Sequence, residues 1–326
     1  MASPVCAAHR GAEPAHRPLP AFDIDYDSLQ QQPLRVQMHQ VRLSDGTLVA
    51  ALGLGTWRMG ESGAQRRAEV AAVRSAIELG YRLIDTAEMY GEGGAEEVVG
   101  EAVGAAIAAG DVQRETLFVV SKVYPHNASR RGTVAACERS LKRLGLERID
   151  LYLLHWRGQH PLRDTVEAMR SLVLSGKIGH WGVSNFDVDD MAELAAVSSG
   201  AETAAPHCVT NQVYYSLGER GPEFALLPWM RERQMPLMAY SPIDQGRIAN
   251  DPALAAIGAS CGATAAQVAL AWVVSQPGVI AIPKAVDPRH LRDNLAAAEL
   301  RLSEDEQRQI DRHFRPPTTK TPLAMT

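Results

Sequence analysis

Eight short apolar runs, each followed by a stretch with helical spacing, constrain this chain more than any other feature. The runs are ALGLG (51–55), YRLID (81–85), LFVVSK (117–122), LYLLH (151–155), IGHWGVS (178–184), VTNQVYY (209–215), PLMAYS (236–241) and VIAIPK (279–284). Between them, positions such as Val70, Val73 and Ile77, or Leu291, Leu295 and Ala298, recur at the period of an amphipathic helix. Apolar strands without clean alternation suit parallel strands buried on both faces, and eight strand-helix units suit a closed (β/α)8 TIM barrel. An open doubly wound sheet is the alternative. Its GxGxxG fingerprint should follow the first strand, and the glycines of GLGTWRMGESG do not fit that spacing. GEGGAEEVVG (91–100) lacks the Lys-Ser/Thr of a phosphate loop and reads as a flexible turn opening a helix. Helix starts carry their own signals: Asp251-Pro252 and Asp287-Pro288 place a cap before a first-turn proline, and Thr264 with Gln267 and Ser303 with Glu306 form capping boxes. Ahead of the barrel, Met38, Val41 and Leu43 alternate before Asp45-Gly46, which predicts a β-hairpin cap.

The ends and the charge narrow the class. Residues 1–36, rich in Pro, Ala, His and Gln, read as a disordered leader without a secretory signal, and residues 37–326 as the barrel. Hydrophobic residues make up 46% and charged residues 22%, enough for a large core. A net charge of −5 with no long basic block argues against a nucleic-acid partner. Residues 252–283 carry no charge, but Gly258, Ser260, Gly262, Thr264, Gln267, Gln276 and Pro277 break the run, so it reads as buried structure and no membrane partner is expected. The four cysteines are far apart with no CxxC pair, which predicts reduced thiols in a cytoplasmic protein. The ten histidines show no HxH or HxxxH pairing, so no metal site is expected.

In a βα barrel the strand ends facing the loops form the active-site mouth, which directs attention to polar residues that end apolar strands. Asp85 closes the second run, Tyr90 lies just after it, Lys122 closes the third and His155 the fourth. Singly, these read as a helix cap, a loop packing residue, a solvated strand end and a hydrogen-bonded core histidine. Together they make a proton-donating device. A Lys122 ammonium beside Tyr90 would bring the phenol's pKa down, Asp85 would hold Lys122 charged, and His155 would fix a carbonyl oxygen for Tyr90 to protonate.

GYRLIDTAEMYGEGGAEEVVG, LFVVSKV, IDLYLLHW, IGHWGVSNF, NQVYYS, AYSPI and AIPKAVDPRHLRDN, in this order, resemble the signatures of the aldo-keto reductase superfamily from about residue 37 to residue 313. The resemblance implies a (β/α)8 barrel that reduces aldehydes or ketones, with Asp85, Tyr90, Lys122 and His155 as catalytic tetrad. It also implies NADPH as cofactor, with NADH not excluded. By motif match, Ser184, Asn185 and Gln212 face the nicotinamide carboxamide, Tyr240 stacks on the ring, Ser241 lies near the pyrophosphate, Lys284 meets the adenosine phosphates, and Asp293 and Asn294 meet adenine. Thr56 joins the cofactor contacts. Two positions depart from the pattern: Ala285 stands where many members have Ser, and His290 where many have the Arg that contacts the 2'-phosphate, with Arg289 and Arg292 flanking it. Trp57, Tyr124 and Trp156 would wall the substrate space. The connections WRGQHPLRD and SPIDQGRIAND and the tail after Phe314 are short, which favours small carbonyls, and HFRPPTTKTPLAMT resembles the tail of bacterial methylglyoxal reductase-like members. The resemblance further implies a monomer or weak oligomer. Two other functions compete: a Schiff-base lyase barrel using Lys122, and a cofactor-binding sensor subunit with little turnover.

Overall fold

The chain is described by a computed structural model over residues 39–199 and 206–326. The leader read over 1–36 and Met38 lie outside the described residues. The chain enters through the predicted hairpin, β1 (Gln40–Arg42) and β2 (Leu48–Ala50), with Val41 opposite Val49. The Asp45-Gly46 turn works as expected: Gly46 takes φ +95, and the Thr47 amide donates to Asp45 Oδ1 at 3.0 Å. The hairpin buries Val41, Leu43 and Val49, and Ser44 Oγ reaches the Cys208 carbonyl.

Eight parallel strands follow: β3 (Leu54–Gly55), β4 (Leu83–Asp85), β5 (Phe118–Val123), β6 (Ile149–Leu154), β7 (Ile178–Ser184), β8 (Cys208–Tyr214), β9 (Leu237–Tyr240) and β10 (Val279–Ile282). Each pairs with its sequence neighbour. The ends of the series meet where the Gly53 amide donates to Ala281 O, Ala281 to Ala51 O, and Gly55 to Pro283 O, at 2.8, 2.8 and 3.0 Å. Glycine is required at this seam, because a Cβ on Gly55 would lie 2.8 Å from the Ile282 carbonyl oxygen. Ser44 meets β8 at its first residue, so the hairpin caps the end of the barrel where the strands begin, leaving the opposite rim to the loops.

The outer layer consists of α1 (Arg66–Leu79), α2 (Gly94–Ala109), α3 (Arg130–Leu144), α4 (Leu162–Leu174), α5 (Val188–Ser198), α6 (Leu226–Glu232), α7 (Pro252–Cys261), α8 (Ala265–Ser275), α9 (Pro288–Glu299) and α10 (Glu304–His313). The four helix starts read from sequence form as expected. Asp251 accepts from the Ala253 and Leu254 amides, Asp287 accepts from Arg289, and both capping boxes are reciprocal. The charge-free stretch folds into α7, α8 and β10; the two helices meet at 85°, and no single helix among the described residues is long and apolar enough to cross a membrane. Every residue of β6 is buried, as two-sided burial requires.

Candidate active site

Parallel pairing in register brings the ends of β4, β5 and β6 to one rim, and the tetrad residues meet there. Lys122 lies inside the barrel with no exposed surface; Asp85 and His155 are 2% and 6% exposed. Lys122 Nζ donates to Asp85 Oδ1 at 2.6 Å, to the Thr86 carbonyl at 2.9 Å and to Tyr90 Oη at 3.2 Å. Three acceptors match the three protons of an ammonium. The Tyr90 and His155 rings meet edge to face, 5.7 Å between centroids. Among the described residues, no group of three or more His, Cys, Asp or Glu is placed to hold a metal.

Burial pushes the Asp85 carboxyl up and the Lys122 ammonium down from their ordinary values, and their contact opposes both displacements. Burial, helped by the Lys122 charge, holds His155 well below the ordinary imidazole range, so its ring is neutral. Tyr90 corrects the sequence expectation. Burial first, and then the Asp85 charge, raise its phenol well above the usual value, whereas the Lys122 ammonium was expected to lower it. The resting site therefore keeps the proton on Tyr90.

Around the tetrad runs a second ring of contacts. Thr56 donates its hydroxyl and its amide to the Asp85 carbonyl at 2.9 and 3.0 Å. Gln212 Nε2 donates to Asp85 Oδ2 at 2.7 Å, which leaves Gln212 Oε1 as its free acceptor. Asn185, at φ +58, donates Nδ2 to the His155 carbonyl at 3.1 Å and accepts from the Tyr240 hydroxyl at 2.9 Å. Ser184 donates to the Gln212 carbonyl at 2.8 Å, and Tyr240 stacks on Tyr214. The links from Gln212 to Asp85 and from Asn185 to His155 join residues 127 and 30 positions apart, and no sequence spacing announces them. Sequence reading also passed over Asp244 and Arg247, an i, i+3 pair readable in SPIDQGR. Arg247 pairs with Asp244 at 2.6 Å and donates to the Tyr214 hydroxyl at 2.8 Å, on a segment where Ser241, Asp244 and Gln245 all have positive φ.

The remaining predicted residues divide. Lys284, Arg289, His290, Arg292 and Asp293 are exposed near the barrel seam, with Arg289 paired to Asp287 at 2.7 Å, while Ala285 and Asn294 are buried. Asn294 lies in α9 one turn after Leu291, whose carbonyl accepts the Tyr81 hydroxyl at 2.9 Å. Tyr124 packs edge-on against Trp156 at 5.1 Å, and Trp156 lies 5.0 Å from the His155 ring. Trp57 is half-buried beneath the Arg58 guanidinium, 4.5 Å from its ring.

With this geometry in place, comparison with known proteins is informative. Residues 51–315 match the sequence profile described as the Aldo/keto reductase family. The chain belongs to the aldo/keto reductase family. It is 48% identical over 295 residues to methylglyoxal reductase YeaE of Escherichia coli strain K12, covering 89% of this chain and 100% of that relative. Among solved structures, an aldo/keto reductase from Klebsiella pneumoniae in complex with NADP and acetate is 46% identical, with a TM-score of 0.82 over 89% of this chain and all of that one. An aldo-keto reductase from the same organism in complex with NADPH is 47% identical, with a TM-score of 0.82 over 89% of this chain and 99% of that one. This aldo/keto reductase has side chains suited to a nicotinamide. A carboxamide carries both donors and an acceptor and could exchange with the bond that Asn185 Nδ2 donates to Ser184 Oγ at 3.2 Å. His155 Nδ1, buried among them, has no partner.

Proposed function

We propose that this chain reduces small aldehydes and ketones, 2-oxoaldehydes such as methylglyoxal among them, to alcohols at the expense of NADPH. The observation that carries this reading is the Lys122 ammonium joined at once to Asp85 and to a protonated Tyr90, beside a neutral His155. The relatives solved in complex with NADP and NADPH, and the methylglyoxal reductase, support the cofactor and the substrate class.

Ser184, Asn185 and Gln212 Oε1 hold the carboxamide, Tyr240 underlies the ring, Thr56 and Ser241 line the path toward the phosphates, and Lys284, Asp293 and Asn294 take the adenosine end. The cofactor supplies a hydride to the carbonyl carbon. His155 donates a hydrogen bond to the carbonyl oxygen and orients it, since a neutral imidazole can give an N–H without surrendering its proton. Tyr90 then gives its proton to that oxygen, and Lys122, with Asp85 behind it, stabilises the phenolate left. The alcohol carries off one hydride and one proton. Trp57, Tyr124 and Trp156 form an aromatic wall suited to small, polarised carbonyls. With all three ammonium protons of Lys122 engaged, a Schiff base on its amine is disfavoured. We take the site to work in a monomer or weak oligomer, in the cytoplasm, where NADPH and reduced thiols coexist.

The test is NADPH oxidation, and separately NADH oxidation, by purified protein with methylglyoxal and a nitrobenzaldehyde, with Tyr90→Phe alongside. NADPH-dependent turnover lost in the variant is expected. Tight NADPH binding without turnover would move the reading to a sensor subunit.

A further inference from the structure

Between Asp85 and Tyr90 stands a carboxylate that touches neither. The Glu88 side chain is only 9% exposed. Its Oε1 accepts the Tyr124 backbone N–H at 2.7 Å and Asn127 Nδ2 at 3.0 Å. Its Oε2 faces Arg139 Nη2 at 3.5 Å and Arg143 Nη2 at 4.0 Å. The Tyr90 loop thus holds the next βα loop through its side chain, since the matching backbone bond, Glu88 N–H to the Lys122 carbonyl, is stretched to 3.4 Å.

This tie matters because the other bonds from the loop to that side, from Lys122 Nζ to the Thr86 carbonyl and Tyr90 Oη and from the Thr86 N–H to the Val120 carbonyl, end on β5 rather than on the loop after it. Gly91, Glu92 and Gly93 all have positive φ, so no regular ladder runs from Tyr90 into α2. Tyr124, at the far end of the tie, packs on Trp156; Trp156 packs on His155; and His155 meets Tyr90. Glu88 closes this circuit around the place where a carbonyl must sit. Its bonds to N–H donors are charge-assisted and therefore short and directional.

We propose that Glu88 is a positioning residue for the carbonyl-reduction step, setting the distance between the Tyr90 loop and the aromatic wall at Tyr124 and hence how the carbonyl is presented to Tyr90. The inference rests on the reductase reading above. Glu88 lies outside the shelf formed by Ser184, Asn185 and Tyr240, so its loss should act on the carbonyl and not on the nucleotide. Loop stitching alone would lower stability and weaken both together.

The experiment compares full-length wild type, Glu88→Ala and Glu88→Gln for NADPH Kd by fluorescence, for kcat and KM with methylglyoxal, and for amide hydrogen exchange at Tyr124. Ala should lose roughly 10- to 100-fold in kcat/KM for methylglyoxal, the scale of a catalytic group displaced by an ångström, with NADPH Kd within about twofold. Gln, which keeps an oxygen for the Tyr124 N–H, should recover much of that loss. Exchange at Tyr124 should rise in Ala. An Ala variant with kcat/KM within about twofold of wild type, or one whose NADPH affinity falls in step with its turnover, would overturn the proposal. If the wild type binds NADPH but reduces no carbonyl, the reductase reading fails, and unchanged exchange at Tyr124 in Ala would then refute the tie on its own.

Discussion

Lys122 gives its three protons to a carboxylate, a carbonyl and a phenol, and that arrangement decides how the site should respond to pH. An acid works only while protonated, so Tyr90 serves below its pKa and fails as pH rises through it. Because that pKa is raised, the failure lies above the usual phenol range. His155, held well below its ordinary value, is already neutral where an unperturbed imidazole would titrate. The rate of carbonyl reduction at saturating NADPH should therefore show no step at about pH 6.5, where an unperturbed histidine would have imposed one. An alkaline decline should come first from Lys122, whose pKa is lowered. A bell centred near neutrality in a kcat profile would contradict this. Tyr90→Phe removes the hydroxyl proposed to protonate the carbonyl oxygen, and kcat should drop on the order of 100- to 10,000-fold with NADPH Kd unchanged, measured by stopped-flow fluorescence. The tetrad was legible in sequence because Asp85, Lys122 and His155 each sit at or next to the end of an apolar run, where a barrel exposes its chemistry. The direction of the Tyr90 shift was not legible, since it depends on burial and on the nearness of the Asp85 charge, neither of which has a spacing.

The elements were legible wherever the signal is local. Both Asp-Pro caps, both capping boxes and the Asp45-Gly46 turn act over two to four residues, and each formed as read. The GEGG turn shows where local reading stops. Its glycines mark a turn ahead of a helix, but the turn is clamped rather than slack: Gly60, at φ +72 after Trp57, packs against the start of α2, where an added Cβ would lie 2.1 Å from the Gly94 carbonyl carbon and 2.4 Å from the Ala95 nitrogen. A Cβ on Gly91 would in turn lie 2.7 Å from the Gly60 carbonyl carbon. Two backbones more than 30 residues apart thus meet without side chains between them, bracing the Tyr90 loop against the Trp57 loop. Gly60→Ala adds a positive-φ penalty to a clash with main chain that cannot rotate away, so it should cost about 2–4 kcal/mol in denaturant unfolding. It should also lower kcat, because relief of the clash moves the loop that carries Tyr90. An Ala variant with unchanged midpoint and kcat would mean that the two loops yield freely.

At the scale of the whole molecule, the eightfold alternation conveyed the barrel, while the devices that bind its late elements together are long-range and silent in the sequence. Arg220, on the loop after β8, is the clearest case. Its guanidinium, 9% exposed, donates to both Glu223 carboxylate oxygens at 2.8 Å, to Asp311 at 2.7 Å and to the Phe314 carbonyl at 2.5 Å, and lies 4.7 Å over the Trp272 ring. It therefore joins the β8 loop, α8, α10 and the start of the tail. The tail continues across the rim, where Lys320 pairs with Asp187 at 3.3 Å and Asp189 at 3.6 Å and Leu323 packs on the core. Asp311 is half in solvent and contributes little, but the Glu223 carboxylate also receives the Tyr215 hydroxyl and would lose its buried charge partner. Arg220→Ala should accordingly destabilise the fold by about 2–3 kcal/mol, less than a fully buried pair would cost. For a chain of this size that corresponds to a Tm lower by roughly 3–5 °C, read by calorimetry. With its root released, the tail should also be cut by trypsin after Lys320 sooner than in wild type under native conditions, while the Tyr90 loop, braced on the other side of the mouth, keeps its protection. Equal cleavage rates in the two proteins would show that Lys320 and Leu323 hold the tail by themselves, and that Arg220 serves only the packing between α8 and α10.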